Sequence, residues 1–208
     1  SGKTTTLARI AEQINETRAC HIITLEDPVE YIFPSQKALI HQREIGTDAS
    51  GWAPAIRDSL REDPDVIVIG ELRDSETIAA ALSAAETGHL VLGTLHNRRA
   101  PDIIGRIVHA FPAEKDAEIR LLLSIVLRTA AAQTLLRFGK KTVPVREILT
   151  NTPAVSHLIR EGKDEQIHAY MELRQHSMRT MKQAFSAAAS QENLSSEDLI
   201  SEFQRQEF

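Results

Sequence analysis

One cysteine, Cys20, stands in 208 residues, so the chain cannot close an intrachain disulfide or build a zinc site from several thiolates. Aromatic residues make up only 4%, and no basic or aromatic stretch suits the stacking of single-stranded nucleic acid. Positive charge is not in excess either. The net charge of −5 argues against a broad nucleic-acid footprint. No apolar run approaches the ~20 residues that a membrane span needs. The opening residues, Ser1-Gly2-Lys3-Thr4-Thr5-Thr6, read as neither a signal peptide nor a transit peptide. With 42% hydrophobic and 25% charged residues, the composition is ordinary for a soluble globular protein, and a cytoplasmic enzyme is the expectation.

Leu7, Ile10, Ala11 and Ile14 recur at helical spacing, which predicts a helix over 4–17. A β-prone run over 21–25 follows, ended by Glu26-Asp27-Pro28. Trp52, Ala55, Ile56 and Leu60 mark a second helix, stopped near Asp63-Pro64 because the residue before proline disfavours helical backbone. Val66-Ile67-Val68-Ile69 is continuously apolar and β-branched, as suits a strand buried on both faces of a parallel sheet. Ile78, Leu82 and Ala85 carry a third helix from an Asp74/Ser75 cap to a stop at Gly88, and 89–94 is another buried strand. Helices and apolar strands alternating at this spacing predict an α/β fold with right-handed crossovers. Beyond residue 100, helices are expected over 101–111 and 114–130 and strands around 132–138 and 142–149. Helices at 152–160, 177–189 and 195–205, broken at Gly162, are expected to form a small subdomain from 151 to 208.

Ser1-Gly2-Lys3-Thr4 has the form of the end of a phosphate-binding loop, G-x-x-x-x-G-K-[ST], whose first glycine would lie upstream. Glycine lets backbone N–H groups approach phosphate, and lysine neutralises charge on the β- and γ-phosphates. A helix starting there aims its positive dipole end at the anion. Ser1, Gly2, Lys3, Thr4 and Thr5 are therefore the candidate ATP-binding residues, with the Thr4 hydroxyl placed for Mg²⁺. Residues 65–71 form a buried strand that delivers Glu71 at its C-terminal end, the edge where open α/β sheets bind ligands. Glu71 is thus the candidate to orient or deprotonate an attacking water. Gly70 occupies the place usually held by an aspartate, which leaves Mg²⁺ to Thr4, phosphate and water. Glu26 also follows a strand and should face the same crevice, although that segment alone reads equally as a solvated acidic turn. His89 and His96 bracket the third strand, around a Gly-Thr strand end, and favour sensing of phosphate or of a metal-bound water. Cys20, Trp52, Phe111, Met171, Met178 and Met181 read as packing residues. His109, His168 and His176 lack ligand partners at useful spacing.

Taken together, Thr24-Leu25-Glu26-Asp27-Pro28-Val29-Glu30, Val68-Ile69-Gly70-Glu71-Leu72-Arg73-Asp74 and the stretch from Gly88-His89 to Gly93-Thr94-Leu95-His96 resemble the Asp box, Walker B and His box of the secretion ATPase superfamily. Ile40-His41-Gln42-Arg43-Glu44, Ser59-Leu60-Arg61-Glu62-Asp63-Pro64-Asp65, Ala84-Ala85-Glu86-Thr87-Gly88-His89 and Phe111-Pro112-Ala113-Glu114 narrow the likeness to type IV pilus retraction ATPases, from residue 1 to about 170. This resemblance implies a RecA-like P-loop NTPase core with a mainly parallel sheet over 1–150, followed by a small C-terminal helical subdomain at 151–208. It implies a homohexamer that hydrolyses ATP with Mg²⁺ to remove pilin subunits, retracting the pilus in twitching motility. Its place would be the cytoplasmic face of the inner membrane. An inner-membrane pilus platform protein would be its partner, with only peripheral contact with membrane machinery and no nucleic acid.

The resemblance also implies roles. Lys3 and Thr4 match the Walker A positions, Glu26 the Asp-box glutamate, Glu71 the catalytic glutamate, and His89 and His96 the His-box pair. Arg57, Arg61, Arg73 and Arg106 become candidates to reach a neighbouring subunit's nucleotide, or else solvated charges on helix faces. The family's usual nucleotide-reaching arginines lie partly in an N-terminal domain outside this segment. Two departures stand out. The family's retraction motif Ala-Ile-Arg-Asn-Leu-Ile-Arg-Glu reads here Ala154-Val155-Ser156-His157-Leu158-Ile159-Arg160-Glu161, and Asn97 follows His96 where threonine is common. Assembly-type ATPases commonly carry a four-cysteine zinc insertion that this chain lacks. A type II or type IV secretion or conjugation ATPase, or a nucleotide-binding accessory subunit, stays open as the alternative.

Overall fold

The computed structural model describes residues 2–138, 141–173 and 177–191. Two compact units divide the chain. The first holds Lys3–His96 and His109–Asp116, the second Gly2, Asn97–Val108 and the described residues from Ala117 onward.

The first unit is a four-stranded parallel sheet. Its strands are β1 (His21–Glu26), β2 (Leu39–Glu44), β3 (Val66–Ile69) and β4 (Leu90–Gly93), in the order β2-β1-β3-β4. All four residues of β3 are buried, as a strand covered on both faces requires. Helix α1 (Lys3–Thr17) packs on one face, where Ala11 meets Ile22, Ile40, Val66 and Val68. Helices α2 (Trp52–Ser59) and α3 (Ser75–Glu86) cover the other, against Ile23, Leu25, Ile67 and Ile69. Alternation along each strand thus sends odd and even residues to different helices.

Helix α2 continues as a 3₁₀ turn, Leu60–Glu62, and ends at Asp63, whose backbone is left-handed (φ 52°). Asp74 caps α3 by accepting from the Thr77 N–H at 2.8 Å, satisfying one of the orphan donors of the first turn. The strand β2 has no counterpart among the predicted elements. Only Ile40 is buried in it, so no apolar run announces it. Buried Asn15 on α1 places it instead. The Asn15 side chain donates to Pro34 O and accepts from Gln36 N, while its carbonyl accepts from Lys37 N and Ala38 N. The chain is thereby held against α1 just before Leu39.

The second unit contains α4 (Asp102–Val108), α5 (Asp116–Val126), the antiparallel hairpin of β5 (Thr129–Phe138) and β6 (Lys141–Thr150), then α6 (Pro153–Arg160), α7 (Asp164–Glu172) and α8 (Met181–Gln191). The helix expected to run to 130 stops at Val126. Thr129-Ala130-Ala131-Ala132 has helical propensity, but pairing with Thr150 to Glu147 takes it into the hairpin. Helix α7 was not foreseen, because Ile167 and Met171 are its only buried residues. Helix α8 starts at Met181 rather than 177, since Arg179 still bridges to Ile148 and Ser177 has φ 62°. The helix expected at 195–205 lies outside the described residues, as do Ser1 and His176.

Buried Glu147 accepts from the Ala100 and Met181 N–H groups, and Ala184, Phe185 and Ala188 pack on Leu136 and Val145. The hairpin therefore packs with the helices that follow it, within the second unit. Among the described residues no helix is long and apolar enough to cross a membrane.

Candidate functional site

Parallel strands place their C-terminal ends along one edge. The register pairs Leu25 with Ile69 and Ile69 with Gly93, so the residues leaving β1, β3 and β4 emerge side by side. The chain leaves β3 under tight constraint. Gly70 N–H donates to Leu25 O at 2.8 Å, and Leu72 N–H donates to Thr94 O at 2.9 Å. The Thr94 hydroxyl also donates to Gly70 O. A Cβ at Gly70 would come 3.2 Å from Trp52 Cη2 and 3.3 Å from Leu25 O, so a larger residue here would press on both.

Five charged or titratable side chains meet at this edge. The Lys3 ammonium donates to Leu95 O at 2.7 Å and lies 2.8 Å from His96 Nδ1. His96 Nε2 lies 2.8 Å from Glu71 Oε1, and Arg73 Nε donates to Glu71 Oε2 at 2.6 Å. Arg73 also reaches Asp27 Oδ2 at 3.7 Å. An ammonium can only donate and a carboxylate only accept. The His96 ring between them is thus the tautomer that accepts at Nδ1 and donates from Nε2. Lys3 leads α1, and Gly2 before it has φ 67°, a left-handed backbone natural to glycine.

Charge follows from these contacts. The hydrogen bond from Arg73 holds the Glu71 carboxyl below its ordinary range, with the Arg73 charge and the His96 N–H assisting and burial opposing. Burial lowers the Lys3 ammonium, with the Glu71 charge opposing.

The structure brings Lys3, Glu71 and His96 together. Thr4 and Thr5 lie exposed on the first turn of α1, Thr5 Oγ1 being 3.2 Å from the Tyr31 hydroxyl. Glu26 emerges at the same edge, where its Oε1 accepts from Thr24 at 2.7 Å and Gln42 at 3.1 Å. His89 does not join them. It precedes β4, so strand direction sets it at the opposite edge from His96, where its Nδ1 lies 3.0 Å from Ala84 O and 3.1 Å from Thr87 Oγ1. The arginine candidates also separate. Arg57 pairs with Glu76 at 3.0 Å, Arg61 and Arg106 are exposed, and Arg73 is engaged by Glu71. Sequence reasoning gave Trp52 only a packing role and left Asp27 and Tyr31 unassigned. Their closeness in sequence to Glu26 was the available signal for the last two.

A parallel α/β sheet with Lys3 and Thr4 opening a helix and Glu71 at the C-terminal edge is an arrangement consistent with the RecA-like P-loop class. Residues 1–142 match the family described as Type II/IV secretion system protein, and the chain belongs to that family. It is 49% identical over 170 residues to the type IV pilus retractation ATPase PilT of Pseudomonas aeruginosa, covering 81% of this chain and 49% of that protein. It is 50% identical over 187 residues to the uncharacterized protein YggR of Escherichia coli, covering 89% of this chain and 57% of that one. The crystal structure of the pilus retraction motor PilT with bound ADP matches at a TM-score of 0.88 and 44% identity, over 97% of this chain and 57% of that one. The chain thus spans about half the length of the curated relatives it matches.

Proposed function

We propose that this chain is the catalytic part of an ATP-hydrolysing motor that retracts a type IV pilus, working as a homohexamer on the cytoplasmic face of the inner membrane against a platform protein. The observation that carries the reading is the line Lys3–His96–Glu71 at the C-terminal edge of the sheet. Two of the three Lys3 donors are used by Leu95 O and His96, which leaves one for a phosphate oxygen. The start of α1 adds its positive dipole end. Glu71, ionised and gripped at both oxygens, is suited to orient a water in line with a phosphoryl group. Its lowered pKa makes it a weak proton acceptor, so orientation rather than proton storage is the role this geometry supports.

Mg²⁺ fits the residues present. Thr4 supplies an exposed hydroxyl on the turn that also carries Lys3, a hard oxygen donor of the kind Mg²⁺ takes beside phosphate and water. Among the described residues no cluster of three or more His, Cys, Asp or Glu would hold a metal alone, so the ion would arrive with the nucleotide. Once bound it would neutralise charge between β- and γ-phosphate oxygens.

The likeness to PilT supports retraction, and the family description leaves a secretion system as the second reading. The altered motif on α6 favours keeping it. The test uses the full-length protein. Mg²⁺-dependent ATP turnover, loss of ATP binding in Lys3→Ala by calorimetry, a hexameric mass in solution and loss of twitching on gene deletion are expected. Near-normal ATP affinity in Lys3→Ala would sink the nucleotide assignment. Intact twitching with lost secretion would move the protein to the second reading.

A further inference from the structure

Arg73 stands two residues beyond Glu71 in a loop whose backbone is pinned on both sides. Gly70 is tied to Leu25 O and Leu72 to Thr94 O. The Leu72 side chain lies where a Cβ on Gly93 would meet it at 3.0 Å, and Asp74 closes the loop by capping α3. The backbone therefore delivers the Cα of Glu71 accurately and leaves its side-chain torsions open. These are fixed by what grips the carboxylate. His96 holds Oε1, and Arg73 holds Oε2. Arg73 has a seat of its own. Its guanidinium carbon lies 6.0 Å from the centroid of the Trp52 ring, and its Nη2 lies 3.7 Å from Asp27 Oδ2. Trp52 is itself rigid, 9% exposed and packed in the core against β1 and β3.

We propose that Arg73 is a positioning residue for Glu71, seated on Trp52 and Asp27, rather than an arginine that reaches a neighbouring subunit's nucleotide. The proposal rests on the ATPase reading above. Trp52 then does two things: it crowds position 70, and it carries the cation that orients the carboxylate at 71. A guanidinium over an aromatic face with a carboxylate at its edge suits this task, because its planar fork fixes direction as well as charge. Four groups bear on the protonation of Glu71: Arg73 from its own loop, His96 from the segment after β4, Lys3 from the start of α1, and Asp27 acting through Arg73.

The experiment uses full-length Arg73→Gln and Arg73→Lys. Two quantities are measured: the pH dependence of kcat, and the carboxyl titration of Glu71 in protein carrying ¹³C-labelled glutamate, its resonance identified by its loss in Glu71→Gln. In Arg73→Gln the Glu71 midpoint should rise toward the ordinary carboxylate range, and the acidic limb of kcat should rise with it. The kcat should fall by ~10- to ~100-fold, the range open to displacing a reacting group by up to about 1 Å, with the KM for ATP little changed. Arg73→Lys should restore the midpoint in part but little of the rate. A fall in kcat with an unmoved Glu71 midpoint would overturn the proposal and return Arg73 to the subunit interface. A wild type without turnover whose Glu71 midpoint still responds to Arg73 would support the positioning contact while removing the ATPase reading.

Discussion

Glu71 and His96 meet at 2.8 Å although 25 positions separate them in sequence. They meet because β3 and β4 are neighbours in a parallel sheet whose register sets Ile69 beside Gly93. Each residue follows its strand by two or three positions, so both emerge at one edge. The same geometry explains why His89 is elsewhere, since a residue before a strand emerges at the other edge. His96 also contacts Lys3, which links that lysine to the glutamate through one imidazole.

Glu71→Gln should preserve ATP binding and slow hydrolysis by ~10²-fold or more, the cost expected when the group that orients the attacking water is lost. Glutamine is isosteric and keeps one acceptor, so affinity by calorimetry should stay within a few-fold of wild type. Turnover within a few-fold of wild type would shift the role to Glu26.

Glu71 should also set a pH dependence of activity. Its carboxyl is held below the ordinary value by Arg73, so it loses its charge at lower pH than an ordinary glutamate, ~4.3. Any acidic limb of kcat due to Glu71 should lie below that value. A kcat profile with an essential base titrating at or above that value would show that Glu71 is not the group reported.

The cap of α3 gives a separate, structural pH effect. Asp74 has its carboxyl lowered by the Thr77 backbone hydrogen bond. A lowered folded value means that its contribution is fully present above the unfolded value, ~3.9, and is lost as pH falls through the lower folded one. Asp74→Ala should cost about 1 kcal/mol at neutral pH, while Asp74→Asn should cost little because Asn caps equally well. Denaturant melts of both variants check this. Equal losses in the two would show that charge rather than capping is at work.

In the second unit, Arg120 on α5 grips Asp164 at the start of α7 through contacts of 2.9, 3.1 and 3.1 Å. The Arg120 side chain is 10% exposed and that of Asp164 26%, so removing the cation strands a mostly buried carboxylate. Arg120→Ala should cost about 3 kcal/mol and lower Tm by about 6–12 °C. A shift below about 2 °C would mean that water replaces the guanidinium at no cost.

Much of the first unit was legible because its physics is local. The periodicity of Leu7, Ile10, Ala11 and Ile14 announces α1, and the β-branched run Val66-Ile67-Val68-Ile69 announces β3. Glu71 and His96 could be placed because each follows such a strand. What stayed hidden depends on distant partners. Residues 39–44 become a strand by pairing with β1 after Asn15 has fixed the approach. Residues 129–132 leave the helix because β6 is there to receive them. Arg73 reads in sequence as one of four interchangeable interface candidates, since nothing there says that Trp52 lies beneath it.

The last prediction separates catalysis from mechanical output. Helix α6 begins with Thr152 capping Val155 N–H at 3.3 Å and Pro153 at its first position. Its buried residues are Val155 and Ile159, one turn apart. Leu158 is only partly buried, and Arg160 is exposed. The retraction-like motif therefore keeps its apolar stripe and presents Arg160 outward from the last turn. Its changed positions, Val155, Ser156 and His157, fall on different sides: Val155 inside, Ser156 bonded to Ser124 O at 2.8 Å, and His157 exposed. If α6 transmits motion to a partner, Arg160→Ala should leave ATP turnover largely intact and sharply reduce twitching. A helix-terminal cation interacting only with the dipole would cost about 0.3–1 kcal/mol and nothing else. ATPase rate and motility measured on the same variant, at matched protein level, decide between them. Equal loss of both, or loss of neither, would show that α6 is no separate coupling element.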